Sequence, residues 1–260
     1  MTPLPPFSIA FQPIVDVETG VAVAWEALAR GPKGEPAGTV FGAVSPFDHY
    51  RLDAALREAA LREALRLGLP DTPAALTVNV YPGVIGDPEL GAEGTLAVAA
   101  AIGFPPERLV FEISESEPVE DPVALGAVLS ALQRRGVRIA LDDVGTGQAR
   151  LPLLLAFRPD GAKLARELIA GLDRDPARRA LAEGTLAQVR AFGLVPVVEG
   201  VETVGEMEAL RGMGVRAMQG YLFARPAVGA LPAPAVPGGG GGGGGGGRRP
   251  PPRPPRAPAA

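Results

Sequence analysis

Eight polar side chains stand at or just past the ends of separate apolar runs. They are Glu26 in VAVAWEAL, Asn79 in LTVNV, Glu112 in LVFEI, Asp142 and Asp143 in RIALDD, Lys163 in GAKL, Glu199 in VPVVEG and Gln219 in RAMQG. Any one of them alone reads as a solvated loop residue. Seven runs ending this way, mostly in acids set in apolar text, describe carboxylates that must be paired or bound to metal, because an isolated buried charge is too costly. The donors are oxygens, without sulfur or imidazole, which favours Mg²⁺ or Mn²⁺ over zinc or copper. Several carboxylates suffice for two cations, with Asp142 bridging them and Asp143 serving one, an arrangement suited to in-line phosphoryl displacement. Lys163 is suited to position the attacking water or to stabilise charge developing on phosphate. The composition defines metal-assisted phosphoester hydrolysis as a class. Enolase-like chemistry, which also uses acids and a lysine on a barrel rim, stays open.

Such residues need a frame that brings strand ends together. Apolar, β-branched runs appear at FSIAFQPIV, VAVAWEAL, ALTVNV, RLVFEI, VRIAL, DGAKL, LVPVVEG and VRAMQG, with helical text between most of them. In FDHYRLDAALREAALREALRLGL, Leu52, Leu56, Leu61 and Leu65 fall near helical spacing, and the run stops at Gly68 before Pro70. DPVALGAVLSALQRRG starts at Asp121 with Pro122 in the first turn and ends at Gly136. About eight strands interleaved with helices predict an α/β fold, a modified TIM (β/α)8 barrel whose active site lies at the C-terminal strand ends. Only DVETG separates the first two runs, too little for a crossover helix, so they are expected to form an antiparallel hairpin.

The bulk composition narrows the chemistry further. The chain has 260 residues with a formal charge of -4, so a nucleic-acid polymer is not a natural partner of the folded body. There is no cysteine and a single histidine, His49, which removes thiolate sites, disulfides, histidine clusters and a Ser-His-Asp triad. MTPLPPFSIA has neither the basic start nor the apolar core of a signal peptide, and no apolar run approaches the roughly 20 residues of a transmembrane segment. A soluble, cytoplasmic protein is expected. The barrel is assigned to residues 1–230 and a disordered C-terminal tail to 231–260, where LPAPAVP leads into ten consecutive glycines and an Arg/Pro segment. Arg248, Arg249, Arg253 and Arg256 would suit an acidic partner or a membrane surface, against the plainer reading of a solvated tail.

The ordered motifs resemble a known family. FQPIVDVETGVAVAWEALAR is similar to the opening of EAL-domain cyclic di-GMP phosphodiesterases, with Glu26-Ala27-Leu28 as the signature tripeptide. VNV, FEISES, LDDVGTG, AKL, VVEGVET and MQGYLFARP follow in the family's order, so the resemblance covers about Phe7 to Ala227. It implies hydrolysis of one phosphodiester of cyclic di-GMP to linear pGpG, assisted by Mg²⁺ or Mn²⁺. It also implies that Glu26, Asn79, Glu112 and Asp142 ligate a first cation, that Asp142, Asp143 and Glu199 serve a second, and that Lys163 orients the water. By the same resemblance Arg30 contacts substrate phosphate, Gln219 belongs to the metal and water network, and Glu115 and Glu202 are supporting acids. Trp25 reads as packing. Family members often dimerise, which implies a homodimer. No GGDEF signature precedes the motifs, so a stand-alone domain is expected. Three positions depart from the family. Val144 stands where phenylalanine is usual, Gln148-Ala149-Arg150 where Tyr-Ser-Ser is usual, and Lys163-Leu164-Ala165 where the family has Lys-x-Asp. The missing acid keeps an alternative open: a catalytically impaired EAL domain acting as a cyclic di-GMP receptor or a protein-interaction module.

Overall fold

The computed structural model describes residues 3–114, 119, 121–144, 154 and 156–238. Its strands are β1 Ser8–Asp16, β2 Val21–Arg30, β3 Ala75–Val80, β4 Leu109–Ser114, β5 Arg138–Val144, β6 Gly161–Leu164, β7 Val195–Val198, β8 Ala217–Met218 and the short β9 Ala227–Val228. The chain from β2 to β8 runs as consecutive parallel neighbours. β1 pairs antiparallel with both β2 and β8, and so closes the barrel. β9 adds an antiparallel pair on β1, Ala10 opposite Val228 and Phe11 opposite Ala227.

The antiparallel start follows from local chemistry at DVETG. The Asp16 carboxylate accepts the N–H groups of Glu18 and Thr19, the Gly20 N–H donates to the Asp16 carbonyl, and Gly20 takes φ 72°. An aspartate that binds its own turn and a glycine free to enter left-handed space reverse the chain over this short stretch.

The crossover helices among the described residues are α1 Ala37–Gly42, α2 His49–Arg66, α3 Ala92–Ile102, α4 Pro122–Arg134, α5 Arg166–Ile169, α6 Pro176–Ala191 and α7 Val204–Gly212. Asp121 caps α4 by accepting from the N–H groups of Val123 and Ala124, and Asp175 caps α6 in the same way, each followed by proline at the first helical position. On α2, Leu52, Leu56 and Leu61 are buried, but Leu65 is half exposed. The buried face is instead completed by Ala60, Ala64 and the ion pair Asp53–Arg57, and Leu65 lies beyond its edge.

Two apolar clusters pack the helices onto the outside of the barrel. Inside, Ile14, Ala24 and Ala75 form a small floor, with Val110, Val197 and Ala217 against it. Above that floor the inward positions become polar. The packed body also runs past the composition break at Leu231: Leu231 packs on the first cluster and Val236 on the second. The glycine run from residue 239 and the Arg/Pro segment lie outside the described residues.

Candidate active site

Period-two alternation along the strands turns Gln12, Glu26, Thr77, Glu112 and Lys163 toward the barrel interior, and all five are buried. Glu26 pairs in register with Gln12 on one side and Thr77 on the other, and Asn79 with Glu112, so the polar residues form a layer rather than a scatter. Glu199 and Gln219 are the first residues past β7 and β8.

Asp142 and Asp143 pose a geometric problem, since adjacent residues of a regular strand face opposite ways. The β5–β6 register shifts between Leu141 and Val144, the mark of a bulge, and Asp143 adopts φ 59°. Among the described residues it is the one non-glycine with positive φ. Its N–H donates to Asp142 Oδ1 at 3.0 Å. The bulge re-aims the second carboxylate, and aspartate tolerates left-handed space better than most residues. Burial, then the neighbouring charge of Asp142, raises the Asp143 pKa.

At the centre lies Lys163, 1% exposed. Its Nζ donates to Glu112 Oε2 at 2.8 Å, stands 3.4 Å from both Glu26 Oε2 and Asp142 Oδ1, and pairs with Glu199. Burial alone would lower the Lys163 pKa, but Asp142, Glu112, Glu199 and Glu26 together hold it well above the ordinary lysine value. One ammonium does not neutralise four acids. Burial raises Glu112 well above its ordinary value despite the lysine, and pushes Glu199 up to about 8.

Gln219 completes the layer. Its Nε2 donates to Glu26 Oε2 at 2.8 Å and to Gln12 Oε1 at 3.3 Å, while Gln12 Nε2 donates to the Ala224 carbonyl at 3.0 Å. Gly220 follows because a Cβ there would run into the Val201 carbonyl.

The donor set fits a hard divalent cation. It is all oxygen on the acid side, and Glu112 Oε1 and Gln219 Oε1 are buried without a hydrogen-bond partner. Among the described residues no three acids already close on a single cation position; they are gathered around the lysine instead.

Comparison with known proteins identifies the family. The EAL-domain family model matches residues 5–226. The chain belongs to the EAL-domain family. This EAL domain is 33% identical over 168 residues to the cyclic di-GMP phosphodiesterase RocR of Pseudomonas aeruginosa, covering 65% of the chain and 42% of RocR. It is 27% identical over 228 residues to the blue light- and temperature-regulated antirepressor BluF of Escherichia coli, covering 88% of the chain and 56% of BluF. The chain thus spans about half the length, or less, of these curated relatives. Among solved structures, a standalone versatile EAL protein from Vibrio cholerae O395, bound to c-di-GMP, matches with TM-score 0.82 and 32% identity over 90% of this chain and 98% of that one. Klebsiella pneumoniae BlrP1 in a manganese/cy-diGMP complex matches with TM-score 0.78 and 31% identity, over 88% of this chain and 58% of BlrP1.

Within this EAL domain the sequence-derived residues separate by place. Glu26, Glu112, Asp142, Lys163, Glu199 and Gln219 are in direct contact, with Asp143 beside Asp142. Asn79 lies in the same layer, paired in register with Glu112. Arg30 ends β2, with its guanidinium donating to the Ala29 carbonyl. Glu202 lies apart, 2.8 Å from Arg166 on α5. Glu115 and Gln148-Ala149-Arg150 lie outside the described residues. Ala165 is buried at the N-cap of α5, which has no side-chain cap. Sequence reasoning overlooked Gln12 and Thr77. Both sit on inward strand positions, so alternation counted back from Glu26 and Asn79 is the signal that finds them.

Proposed function

We propose that this EAL domain hydrolyses one phosphodiester of cyclic di-GMP to linear pGpG with Mg²⁺ or Mn²⁺. The observation that carries the reading is the polar layer itself: acids carried by β2, β4, β5 and the end of β7 around one buried ammonium, on the chemistry of a phosphoester hydrolase. The likeness to a named cyclic di-GMP phosphodiesterase and to EAL structures holding that nucleotide supports the substrate.

Glu26, Asn79, Glu112, Asp142, Asp143 and Glu199 would hold the cations. Divalent cations so held would supply Lewis-acid polarisation of the phosphate and activation of a water. Lys163 Nζ, fixed by its acid partners, orients the water and offers positive charge to the phosphate oxygens. Gln219, bonded to Glu26 and Gln12, fixes the Glu26 carboxylate. Arg30, at the rim, presents a guanidinium suited to a substrate phosphate. Glu202 holds Arg166 and the loop after β7, and Glu115 is assigned the corresponding support of the loop after β5. In the net reaction the water oxygen bonds to phosphorus, the P–O3′ bond breaks, and a proton ends on the 3′ oxygen.

Incubation with cyclic di-GMP and Mn²⁺, with products resolved by chromatography, tests this. pGpG is expected from the unmodified chain and not from Asp142→Asn; hydrolysis retained in Asp142→Asn overturns the metal assignment. A second reading, a receptor without turnover, is favoured by Ala165 in place of an acid. Saturable nucleotide binding with no pGpG would establish it.

A further inference from the structure

The link from β1 to β2 has no crossover helix. The two strands are joined by a tight turn instead, and their outer faces share the first apolar cluster with α2. Pro13 and Trp25 lie opposite each other in register there, on the strand faces turned away from Gln12 and Glu26. Trp25, the chain's only tryptophan, is nonetheless buried, 8% exposed.

Besides that cluster, the segment after β9 reaches Trp25. Gly229, at φ 72°, redirects the chain. Leu231 packs on the first apolar cluster, the Pro232 carbonyl accepts the Trp25 indole N–H at 3.3 Å, the Ala235 N–H donates to the Phe223 carbonyl at 3.0 Å, and Val236 packs on the second cluster. One short segment therefore ties the two clusters together across the seam where β8, β1 and β2 close the barrel. Its composition is suited to such a crossing, since Pro232, Pro234 and Pro237 have no N–H to satisfy and hold the chain extended without a strand partner. It lies beyond the family match, which ends at residue 226.

We propose that Gly229–Val236 is a closing strap that ties the two apolar clusters across the barrel seam, and that Trp25, clasped by Pro232, is a positioning residue for Glu26. Trp25 and Glu26 share a peptide unit on β2, one side chain facing out and the other in. Fixing the indole fixes the direction of the carboxylate that accepts from Gln219 at 2.8 Å and stands 3.4 Å from Lys163. Misplacement of such a group by about 1 Å can cost on the order of a hundredfold in rate. The kinetic arm of the test rests on the proposed phosphodiesterase activity; the optical and metal-binding arms do not.

The lone tryptophan is its own reporter. In the full chain, Leu231→Asp combined with Val236→Asp removes both apolar anchors of the strap. Trp25 emission is then expected to move to the red and become quenchable by acrylamide, while kcat and Mn²⁺ affinity each fall about tenfold and KM for cyclic di-GMP stays within about twofold. A chain ending at Gly238 keeps the strap and should match the full chain in all readouts. Unchanged emission in the double variant overturns the strap. Red-shifted emission with unchanged kcat and Mn²⁺ affinity overturns the positioning role. Should the double variant not fold, Trp25→Phe, which keeps a ring and loses the donor, decides: lower Mn²⁺ affinity with a native circular dichroism spectrum supports the proposal, and unchanged affinity overturns it. If the unmodified chain makes no pGpG, the proposed function fails, and Mn²⁺ affinity carries the positioning arm by itself.

Discussion

Lys163→Met tests the electrostatic account of the site directly. The substitution keeps an unbranched apolar stem and removes the charge that stands 2.8 Å from Glu112, 3.4 Å from Glu26 and Asp142, and against Glu199. At an effective dielectric of about 20, two unit charges roughly 3.4 Å apart attract by about 5 kcal/mol. The cost of burying the ammonium offsets most of that sum, and removing one partner of a buried pair costs about 3–5 kcal/mol. The acids can limit the loss by taking up protons. Glu199, at about 8 against an ordinary 4.5, illustrates the sign. A carboxyl whose folded pKa lies above its unfolded value contributes most below the unfolded pKa, and that contribution is lost as pH rises toward the folded pKa. Without Lys163 the acid pKa values rise further. The metal-free variant should therefore be close to the unmodified protein near about pH 5 and fall behind as pH rises, by about 3–5 kcal/mol at about pH 9. For a domain of this size that is a Tm loss of about 10 °C. Thermal melts of metal-free protein across this range measure it. Saturating Mn²⁺ should raise the variant's Tm by more than the parent's, because the cation meets the acids without competing with an ammonium. A deficit independent of pH, or equal stabilisation of both proteins by Mn²⁺, refutes the reasoning.

Substitutions at three further positions probe the frame around the site. Asp143→Gly relieves both the left-handed backbone and the like charge of Asp142, and should raise metal-free stability by about 1 kcal/mol, whereas Asp143→Val should lower it by at least as much; urea titrations compare them. Glu206 is buried and accepts the N–H groups of Gly171, Glu202 and Thr203, which, against the opposing effect of burial, hold its pKa below the ordinary value. Glu206→Gln should therefore cost about 2 kcal/mol at neutral pH, with the gap closing as pH falls through the folded pKa below 4.5 in acid titrations of both proteins. Ala165→Asp restores an acid at the N-cap of α5. Mn²⁺ affinity by calorimetry should rise about tenfold, with metal-free stability changed by less than about 1 kcal/mol, since the gain in capping offsets the added like charge. Unchanged affinity would mean that position 165 does not serve the cation.

Much of the barrel was legible because its determinants are local. Eight apolar runs at the right lengths became β1 to β8, DVETG became the hairpin turn, and Asp121-Pro122 became a capped helix start. The acids were legible for the same reason, each ending a run that had to be a strand. Three features were not. The bulge at Asp142-Asp143 arises from pairing with β6, a distant context that a strand pattern does not carry. The central place of Lys163 depends on four acids that meet only when the barrel closes. The strap at Gly229–Val236 reads as a linker because its prolines and alanines carry no periodicity, and it becomes structural only through contacts with both apolar clusters and Trp25.

The costs in this molecule are concentrated in one layer. The single described non-glycine residue in left-handed space is Asp143. The carboxyls raised by burial are Glu112, Asp143 and Glu199, and buried oxygens without partners include Glu112 Oε1 and Gln219 Oε1. Outside that layer one such oxygen, Asp173 Oδ1, also lacks a partner, but the principal buried charges are paired. The buried Asp53–Arg57 pair is completed by Thr95 and the Leu90 carbonyl, and Glu206 accepts three backbone donors. A fold that satisfies buried charges elsewhere has no stability reason to leave them short inside its own barrel, because an apolar interior of the same volume would be more stable. Strain and unsatisfied acids collected where the strand ends converge are what a site must hold ready when its remaining partners are a cation and a phosphate. That concentration, more than any single residue, separates a binding centre from a barrel core.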